Sequence, residues 1–594
     1  MTPRDQAAAV SKRSDDGIDP ILLSIIPNRL EAIAEEMAQT LMMTSRSGIF
    51  AEARDFVTGI CDAEGRLIAQ SRYFPGFACA LPYLVPPIRA KFGDGIADGD
   101  IIIVNDPYLG NSHLPDMNIL KPVFWDGALQ FWAICKGHMA DIGGAGVAGY
   151  DPLGETIWDE GVIIPPLKLY ERGVLRDDLL ELILRQIKLP DVVRGDIMCE
   201  VGGANIGERG LKAMLGKYGA DTVRRHVQGF FDLSERTMRE RLRAIPNGVY
   251  RGAKAIDDDV ASDRPLTVRV RIAVRDGEVE IDFSESDPQS ARYMNSTDAF
   301  ARSIATLTLF WILEHAQSND GSLRPISFVN PAGRCTHAAF PASTVLATCT
   351  MAECIQEAIQ LALAPAVPDK IAAPSAKLIF PLIAYVDPDK QRLDVNVDFF
   401  FRCDASGGTL GYDGWEQGGP AQEMGMGRCP DPEIHELSHP VRILRFEQEQ
   451  DSAGDGRYRG GNGHVYRVQH LVPSVKAVVF GSGTKPHAVP EGLFGGRSPS
   501  PSVLSIERAK GGRKTLALNR FFQVEAGDVI ELRQMGGPGY GDPYERDAAR
   551  VARDVRDGYL SPEKAREVYG VHIRADGSLD REATALARKS RRAT

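Results

Sequence analysis

Cysteine pairs, a leader segment and long apolar runs are all missing from this chain. The nine cysteines are odd in number, lie scattered from Cys61 to Cys429 and include no C-x-x-C pair, so neither a disulfide framework nor a cysteine zinc site is indicated. The N-terminus is polar and lacks the apolar core of a signal peptide, and no apolar run approaches the roughly 20 residues of a membrane span. We therefore expect a protein of the reducing cytoplasm.

Basic patches and the short motifs of nucleotide and covalent chemistry are equally scarce. The formal net charge is -11, and Lys and Arg cluster only in a short tail around Arg588–Arg592, which argues against a nucleic-acid partner. No G-x-x-x-x-G-K-[ST] loop occurs, so ATP, if it is used, is expected to bind elsewhere. No G-x-S-x-G elbow occurs either, and covalent catalysis is not supported.

What is present is the composition of a large globular enzyme, with 594 residues, of which 43% are hydrophobic and 25% charged. This length exceeds what one hydrophobic core supports, so we predict a mixed α/β (α+β) multidomain protein with a β-rich C-terminal half. The predicted units are a polar tail (1–19), an N-terminal domain (20–246), a mixed α/β middle domain (247–405), a β-rich domain with a long Gly/Pro loop (406–545), and a C-terminal helical segment with a basic tail (546–594).

Local patterns place helices and hairpins within these units. Asp19 followed by Pro20 is typical of a helix start, and apolar residues recur behind it at three- and four-residue spacings. Two β-prone runs surround an Asp-Gly turn at Asp126 and again at Asp276, which predicts two hairpins. The run FVTGICDAEGRLIAQ predicts another. Gly and Pro are abundant over 406–440, where we expect a long loop.

Three segments in the first quarter of the chain concentrate side chains that bind metals: Glu52 in IFAEARDF, His113 and Asp116 in NDPYLGNSHLPDMN, and His138 in CKGHMADIGG. Imidazole together with carboxylate suits Mn²⁺, Fe²⁺ or Zn²⁺. The H-x-x-D spacing lets both side chains face one ion from a short turn. The alternative is that these are hydrogen-bonded loop histidines and a glutamate that interacts with a helix dipole.

A second motif, His435-Glu436-Leu437-Ser438-His439, matches the zinc-protease signature H-E-x-x-H. That mechanism requires both histidines on one helix. Prolines flank the motif on both sides, and a residue that precedes proline is biased away from the α region. We therefore predict that the segment is not helical and that the match is coincidental.

Blocks of sequence in a fixed order resemble the hydantoinase B/oxoprolinase family. They span nearly the whole chain and include IFAEARDFVTGICDAEGRLIAQ, GDIIIVNDPYLGNSHLPDMNILKPVF, KGHMADIGG, EGVIIPPLKLY, NDGSLRPISFVNP, GRYRGGNG and GGPGYGDPYERD. The resemblance implies a B-type subunit of the ATP-dependent hydantoinases, the lactam-opening enzymes or the acetone and acetophenone carboxylases. It also implies that the N-terminal domain holds a divalent metal (Zn, Mn or Fe), with Glu52, His113, Asp116 and His138 as ligands.

A partner polypeptide follows from the same resemblance. It implies a hydantoinase A-type chain that binds ATP and Mg and phosphorylates a carbonyl-derived oxygen of a small substrate. We favour a cyclic amide, whose activated carbon is attacked by water held at the metal. The alternative is ATP-dependent carboxylation of a ketone with bicarbonate, which an extra small subunit would favour. A non-catalytic scaffold that has kept the fold is the third hypothesis.

Two segments depart from the pattern of this family. Many relatives carry a histidine in a Pro-Val-His-Leu-Gly-type stretch after the first hairpin, whereas this chain has the aromatic and apolar run Tyr73–Cys79. That run either lines a pocket for a more hydrophobic substrate or packs in the core. The glycine-rich run common in relatives is also altered over 407–426. Both differences bear on the choice of substrate.

Overall fold

The computed structural model describes residues 17–315, 318–419 and 428–591. Most of the predicted polar tail, part of the altered run 407–426 and the end of the basic tail lie outside these residues. The described helices are α1 (Pro20–Thr44), α2 (Pro75–Ala78), α3 (Val85–Phe92), α4 (Ile157–Glu160), α5 (Asp177–Leu184), α6 (Pro190–Tyr218), α7 (Ala220–Leu242), α8 (Asp298–Ile312), α9 (Asp320–Leu323), α10 (Ala352–Leu363), α11 (Pro432–Ser438), α12 (Ala548–Arg556), α13 (Pro562–Tyr569) and α14 (Arg581–Arg591).

A seven-stranded sheet forms the N-terminal region. In chain order its strands are β1 (Phe56–Asp62), β2 (Leu67–Gln70), β3 (Ile101–Val104), β4 (Asp116–Trp125), β5 (Ala128–His138), β6 (Leu167–Glu171) and β7 (Val174–Leu175). Their order across the sheet is β2-β1-β5-β4-β3-β6-β7, and all the pairs are antiparallel. The register places Asp116 opposite His138. Two predicted metal ligands are therefore cross-strand neighbours, at the start of β4 and the end of β5.

Helices α1 and α6 cover this sheet. Asp19 caps α1 by accepting a hydrogen bond from the backbone N–H of Ile21, and Pro20 takes the first helical position, as predicted. Small residues on α6 permit the close approach of α1. A Cβ atom added at Gly203 would overlap Cδ1 of Leu41, so we expect any larger residue there to separate the helices.

Three further sheets follow along the chain. The middle sheet contains β8 (Gly248–Ile256), β9 (Leu266–Arg275), β10 (Glu278–Asp282) and β11 (Ile326–Val329). The next contains β12 (Ile379–Asp387), β13 (Arg392–Val397), β16 (Ser474–Gly481) and β19 (Arg520–Phe522). The last large sheet contains β14 (Val441–Gln448), β15 (His464–His470), β17 (Val503–Glu507), β18 (Arg513–Thr515) and β20 (Val529–Arg533). A short pair, β21 (His572–Ile573) and β22 (Leu579–Asp580), lies near the C-terminus.

The predicted fold class and hairpins are confirmed. The chain is mixed α/β and multidomain, and between residues 379 and 533 the described part contains nine strands, β12 to β20, and a single α-helix, α11. Asp126 and Gly127 both have positive φ, as do Asp276 and Gly277, which is the conformation that Asp-Gly turns supply in two-residue hairpins. The exact domain boundaries stay predictions. Among the described residues, no helix is long and apolar enough to cross a membrane.

Two expectations from the sequence are wrong. The H-E-x-x-H segment does form a helix, α11, because Asp431 caps it and Pro432 occupies its first position, where proline is tolerated. The bias imposed by Pro440 acts only on His439, which is extended and ends the helix. Cys403 and Cys429 are joined in a disulfide, a pairing that the scattered spacing of the cysteines did not indicate.

Candidate metal centre

Three of the four predicted ligands meet in space. Asp116 begins β4, His138 ends β5, and the turn before β4 carries His113. Nε2 of His113 lies 2.9 Å from Oδ1 of Asp116 and 3.1 Å from Nδ1 of His138. Nδ1 of His138 lies 3.3 Å from the same Asp116 oxygen. One ligand atom from each residue therefore lies within 4.8 Å of the others, as binding of a single ion requires.

The hydrogen bonds of His113 favour a cation at this point. Nδ1 of His113 lies 2.7 Å from the carbonyl oxygen of Val345. A carbonyl oxygen only accepts, so Nδ1 carries the proton and Nε2 of the neutral ring presents a lone pair. That lone pair faces the Asp116 carboxylate, and two acceptors at this distance require a proton or a metal ion between them. The donor set therefore fits a divalent cation.

Electrostatics keep the Asp116 carboxylate ionised. Burial alone would raise its pKa, but positive charge held between Asp116 and the two histidines, together with the charge of Lys136, holds the pKa of Asp116 well below its usual range. The ammonium group of Lys136 lies 3.8 Å from Oδ2 of Asp116 and is fully buried. Burial lowers the pKa of Lys136 to about 8, against the opposing charges of Asp116 and Glu200.

Asn111 holds the turn that carries the ligands. Its side-chain amide donates to the backbone carbonyls of Asn105, His113 and Asp116, each at 2.8 Å. Its oxygen accepts from the ammonium group of Lys136 at 2.7 Å. Since these partners are buried, the positions of His113 and Asp116 are fixed before any ion binds.

The hydantoinase B/oxoprolinase family model matches residues 19–543. The chain belongs to this family. The resemblance inferred from the sequence blocks is thereby confirmed.

Named relatives of this family match along nearly the whole chain. The beta subunit of the caprolactamase of Pseudomonas jessenii is 34% identical over 96% of this chain and 98% of that protein. The putative B subunit of a D-/L-hydantoinase from Pseudomonas sp. (strain NS671) is 28% identical over 96% of this chain and 98% of that protein.

Solved structures support the same fold. The crystal structure of the ATP-dependent caprolactamase from Pseudomonas jessenii superimposes with a TM-score of 0.89 at 33% identity, covering 96% of this chain and 100% of that chain. The nucleotide-free structure of acetone carboxylase superimposes with a TM-score of 0.87, covering 99% of this chain and 84% of that chain. Its identity of 20% shows the fold alone.

In this member of the hydantoinase B/oxoprolinase family, Glu52 lies apart from the three converging ligands. It belongs to a π-helical turn, Ile49–Ala53, and lines a cavity of about 470 Å³, here called the outer cavity, together with His435 and His439. The group of mutually close ligand atoms found among the described residues does not include it. Its assignment as a ligand stays a prediction.

Asp55, which the sequence analysis did not single out, contacts His138 through its backbone, although it too lies outside the group of mutually close ligand atoms. Its backbone carbonyl accepts a hydrogen bond from the N–H of His138 at 3.1 Å. Its Oδ2 lies 3.3 Å from Arg402, while Oδ1 is buried without a hydrogen-bond partner among the described residues. The register of β1 against β5 is the feature that could have identified Asp55. Phe56 pairs with Gly137, so the residue before β1 lies beside the end of β5.

Asp55 and His138 line a second cavity, here called the inner cavity, whose other walls are mostly apolar and include five aromatic rings, those of Phe74, Tyr150, Phe380, Phe399 and Phe480. Tyr150 stacks on Phe480 with ring centroids 4.5 Å apart, and Phe480 contacts Phe380 at 5.6 Å. The guanidinium of Arg402 lies over the ring of Phe399 at 5.0 Å. The structure divides the altered run Tyr73–Cys79 between a cavity wall and the core, and its link to the choice of substrate stays a prediction. Phe74 lines the inner cavity, and Phe77 packs in the core against Phe300.

The side chains of the H-E-x-x-H motif have separate partners. Nε2 of His435 lies 3.5 Å from Oδ2 of Asp398, and Nδ1 of His439 accepts from the hydroxyl of Tyr385 at 2.9 Å. Burial and the charge of His435 lower the pKa of His439 to about 4. Oε1 of Glu436 accepts from the backbone N–H of Ile443 at 2.6 Å. The two imidazole rings lie with their centroids 5.0 Å apart, but among the described residues no third ligand atom joins them in a group close enough to hold one ion, as a zinc-protease site requires.

We expect Glu436→Gln to leave the activity of the enzyme within a few-fold of the original. The glutamine oxygen still accepts from Ile443, and this side chain lies away from the three converging ligands. The measurement is the steady-state rate of the complete enzyme. A loss of about a thousandfold, the scale of a lost general base, would instead return the H-E-x-x-H segment to the catalytic site.

Proposed function

We propose that this chain is the metal-binding catalytic subunit of a heteromeric, ATP-dependent enzyme that opens a small cyclic amide. The observation that carries the proposal is the convergence of His113, Asp116 and His138 beside an aromatic cavity. The 34% identity with a caprolactamase chain supports a lactam as the substrate class. We further propose Asp55, rather than Glu52, as the fourth protein ligand, since its buried Oδ1 has no other partner among the described residues.

The lining of the inner cavity suits an uncharged ring, and since its volume is only about 40 Å³, its walls must move apart to admit one. Phe74, Phe380 and Phe480 offer flat apolar walls on which a lactam ring packs and from which water is excluded. Arg402 is the one arginine or lysine among the described lining residues, and it lies against Asp55. The lining therefore offers one positive charge, already beside a carboxylate, and most of its remaining surface is apolar.

The polar groups in and beside the inner cavity have two roles in this proposal, binding the cation and complementing negative charge on the substrate. His113, Asp116 and His138 would hold the cation, which would supply Lewis-acid polarisation and make a bound water more acidic. Arg402 complements negative charge on the activated amide oxygen. The inner cavity adjoins the outer cavity, with Ile49, Ala140, Val397 and Phe399 lining both. We assign the outer cavity as the route by which the substrate enters.

Phosphorylation of the amide oxygen belongs to the partner in this proposal. The caprolactamase and hydantoinase relatives are each named as one subunit, which implies a second polypeptide in their own enzymes. By extension, a hydantoinase A-type partner holds ATP and Mg and activates the substrate, and this chain completes the ring opening.

The proposal is tested by reconstitution. We expect the isolated chain to hydrolyse no ATP, and the complex with an A-type partner to consume ATP only when a lactam is present. Ring opening takes its oxygen from water, so ¹⁸O from labelled water should enter the new carboxylate in the absence of bicarbonate. Stoichiometric incorporation of labelled bicarbonate from a ketone would overturn the proposal in favour of carboxylation. ATP hydrolysis by the isolated chain would also contradict it.

A further inference from the structure

A buried glutamate lies behind the metal centre. Glu160 ends the short helix α4 and is 1% exposed. Its Oε1 accepts three hydrogen bonds from one loop: from Oγ of Ser343 at 2.6 Å, from the backbone N–H of Thr344 at 2.5 Å and from that of Val345 at 3.0 Å. A single carboxylate oxygen therefore fixes three consecutive residues.

The same loop contacts a metal ligand. The carbonyl oxygen of Val345, whose N–H is held by Glu160, accepts the hydrogen bond from Nδ1 of His113 at 2.7 Å. This bond determines which nitrogen of His113 carries the proton and thus leaves Nε2 free to face Asp116 and His138. Glu160 is therefore separated from a predicted ligand by only one residue of the loop.

We propose that Glu160 is a positioning residue for the metal centre, because it holds the Val345 carbonyl against Nδ1 of His113 and so fixes the tautomer and orientation of that ligand. The inference rests on the metal centre of the proposed function. Partners that bind the second nitrogen of a ligating histidine raise its basicity and orient its ring, and their loss costs roughly 10–100-fold in metal affinity. Here the partner of His113 is the carbonyl of Val345, and Glu160 holds that residue through its backbone N–H.

The role depends on an acceptor oxygen more than on charge. Burial raises the pKa of Glu160 to about 7, while the three donors oppose that shift. Oε2 is buried and has no hydrogen-bond partner among the described residues. A proton on Oε2 would leave Oε1 as an acceptor, so the loop is held in either protonation state. Glutamine, whose amide oxygen also accepts, should preserve the arrangement.

The test compares Glu160→Ala and Glu160→Gln with a matched control elsewhere in the fold. Asp257 is also buried, and its carboxylate accepts backbone N–H bonds from Gly483, Thr484 and Lys485 in the loop that follows β16. Zn²⁺ affinity is measured on each folded chain by competition with a chromogenic chelator. We expect roughly a 10–100-fold weaker affinity for Glu160→Ala, and little change for Glu160→Gln or for Asp257→Ala.

A second readout needs no metal. In the metal-free chain labelled with ¹⁵N-histidine, the shifts of His113 should show Nδ1 fully protonated in the parent and in Glu160→Gln, and only partly protonated in Glu160→Ala, whether or not Nε2 also carries a proton. If Glu160→Ala does not fold, Glu160→Asp makes the same comparison, because its carboxylate is drawn back by one methylene from the loop.

Unchanged affinity and an unchanged tautomer in a folded Glu160→Ala or Glu160→Asp chain would overturn the inference and leave Glu160 a purely structural residue. Failure of the metal centre itself is recognised separately. In that case the parent chain binds no Zn²⁺ at His113 and Asp116, whatever the tautomer measurement shows.

Discussion

Replacing Asp116 with asparagine is expected to abolish stoichiometric metal binding while leaving the chain folded. Asparagine matches the size of aspartate and fills the same buried space, so no cavity forms. It removes the one negative charge that both His113 and His138 approach within 3.3 Å. A direct ligand should cost more than the roughly 10–100-fold in affinity that an outer-shell partner costs. His113→Ala should have the same effect on metal content.

Elemental analysis of the purified chain measures the metal content, and thermal unfolding with and without added metal provides an independent check. Metal that binds only the folded state raises the unfolding temperature of the parent chain, and this increase should vanish in Asp116→Asn. Asp100→Asn is the matched control. Asp100 is also fully buried and accepts hydrogen bonds from the backbone N–H groups of Ala97 and Arg172. It directly precedes β3, on the side away from the end of β3 that pairs near Asp116. Full metal content in both Asp116→Asn and His113→Ala would show that the ion binds elsewhere.

Much of the fold follows from local sequence. The Asp-Gly hairpins at Asp126 and Asp276 form because both residues adopt positive φ, which this dipeptide tolerates better than most. Helix α1 begins where Asp19 and Pro20 predict it. These are short-range effects, and a single sequence contains them. The helix at 432–438 was missed because the prolines around it were treated as breakers, although one of them occupies a first-turn position that favours a helix.

The candidate metal centre was predictable only in part. His113 and Asp116 are three residues apart, so one turn brings them together without knowledge of the rest of the fold. Placing His138 beside them requires the β4–β5 pairing, which the predicted hairpin supplies. The roles of Val345 and Glu160 depend on contacts between segments separated by 183 to 232 positions. No local pattern indicates such contacts.

The strand register separates Asp55 from Glu52, two carboxylates that the sequence alone does not distinguish as possible ligands. Both lie in the block IFAEARDF, only three residues apart. Glu52 belongs to the π-helical turn and lines the outer cavity, whereas Asp55 comes directly before β1 and lines the inner cavity with His138. A family resemblance fixes the block but not which carboxylate faces the histidines. The strand pairing of β1 with β5 places Asp55 beside the end of β5, and on that ground we propose Asp55 as the fourth ligand.

We therefore expect Asp55→Asn to weaken metal binding by at least about tenfold, or about 1.4 kcal/mol, and Glu52→Gln to leave it unchanged. Asparagine keeps the shape of the side chain but loses the charge that faces both the cation site and Arg402. The substitution should also slow turnover of the reconstituted enzyme, because Arg402 then lacks the carboxylate that neutralises its charge in the inner cavity.

Glu52→Gln is the matched control, since it makes the same chemical change three residues away in the wall of the outer cavity. The measurement is the Zn²⁺ dissociation constant of each folded chain by chelator competition. The reverse result, with weaker binding in Glu52→Gln and parental affinity in Asp55→Asn, would restore Glu52 as the fourth ligand and require the π-helical turn to move toward the histidines when metal binds.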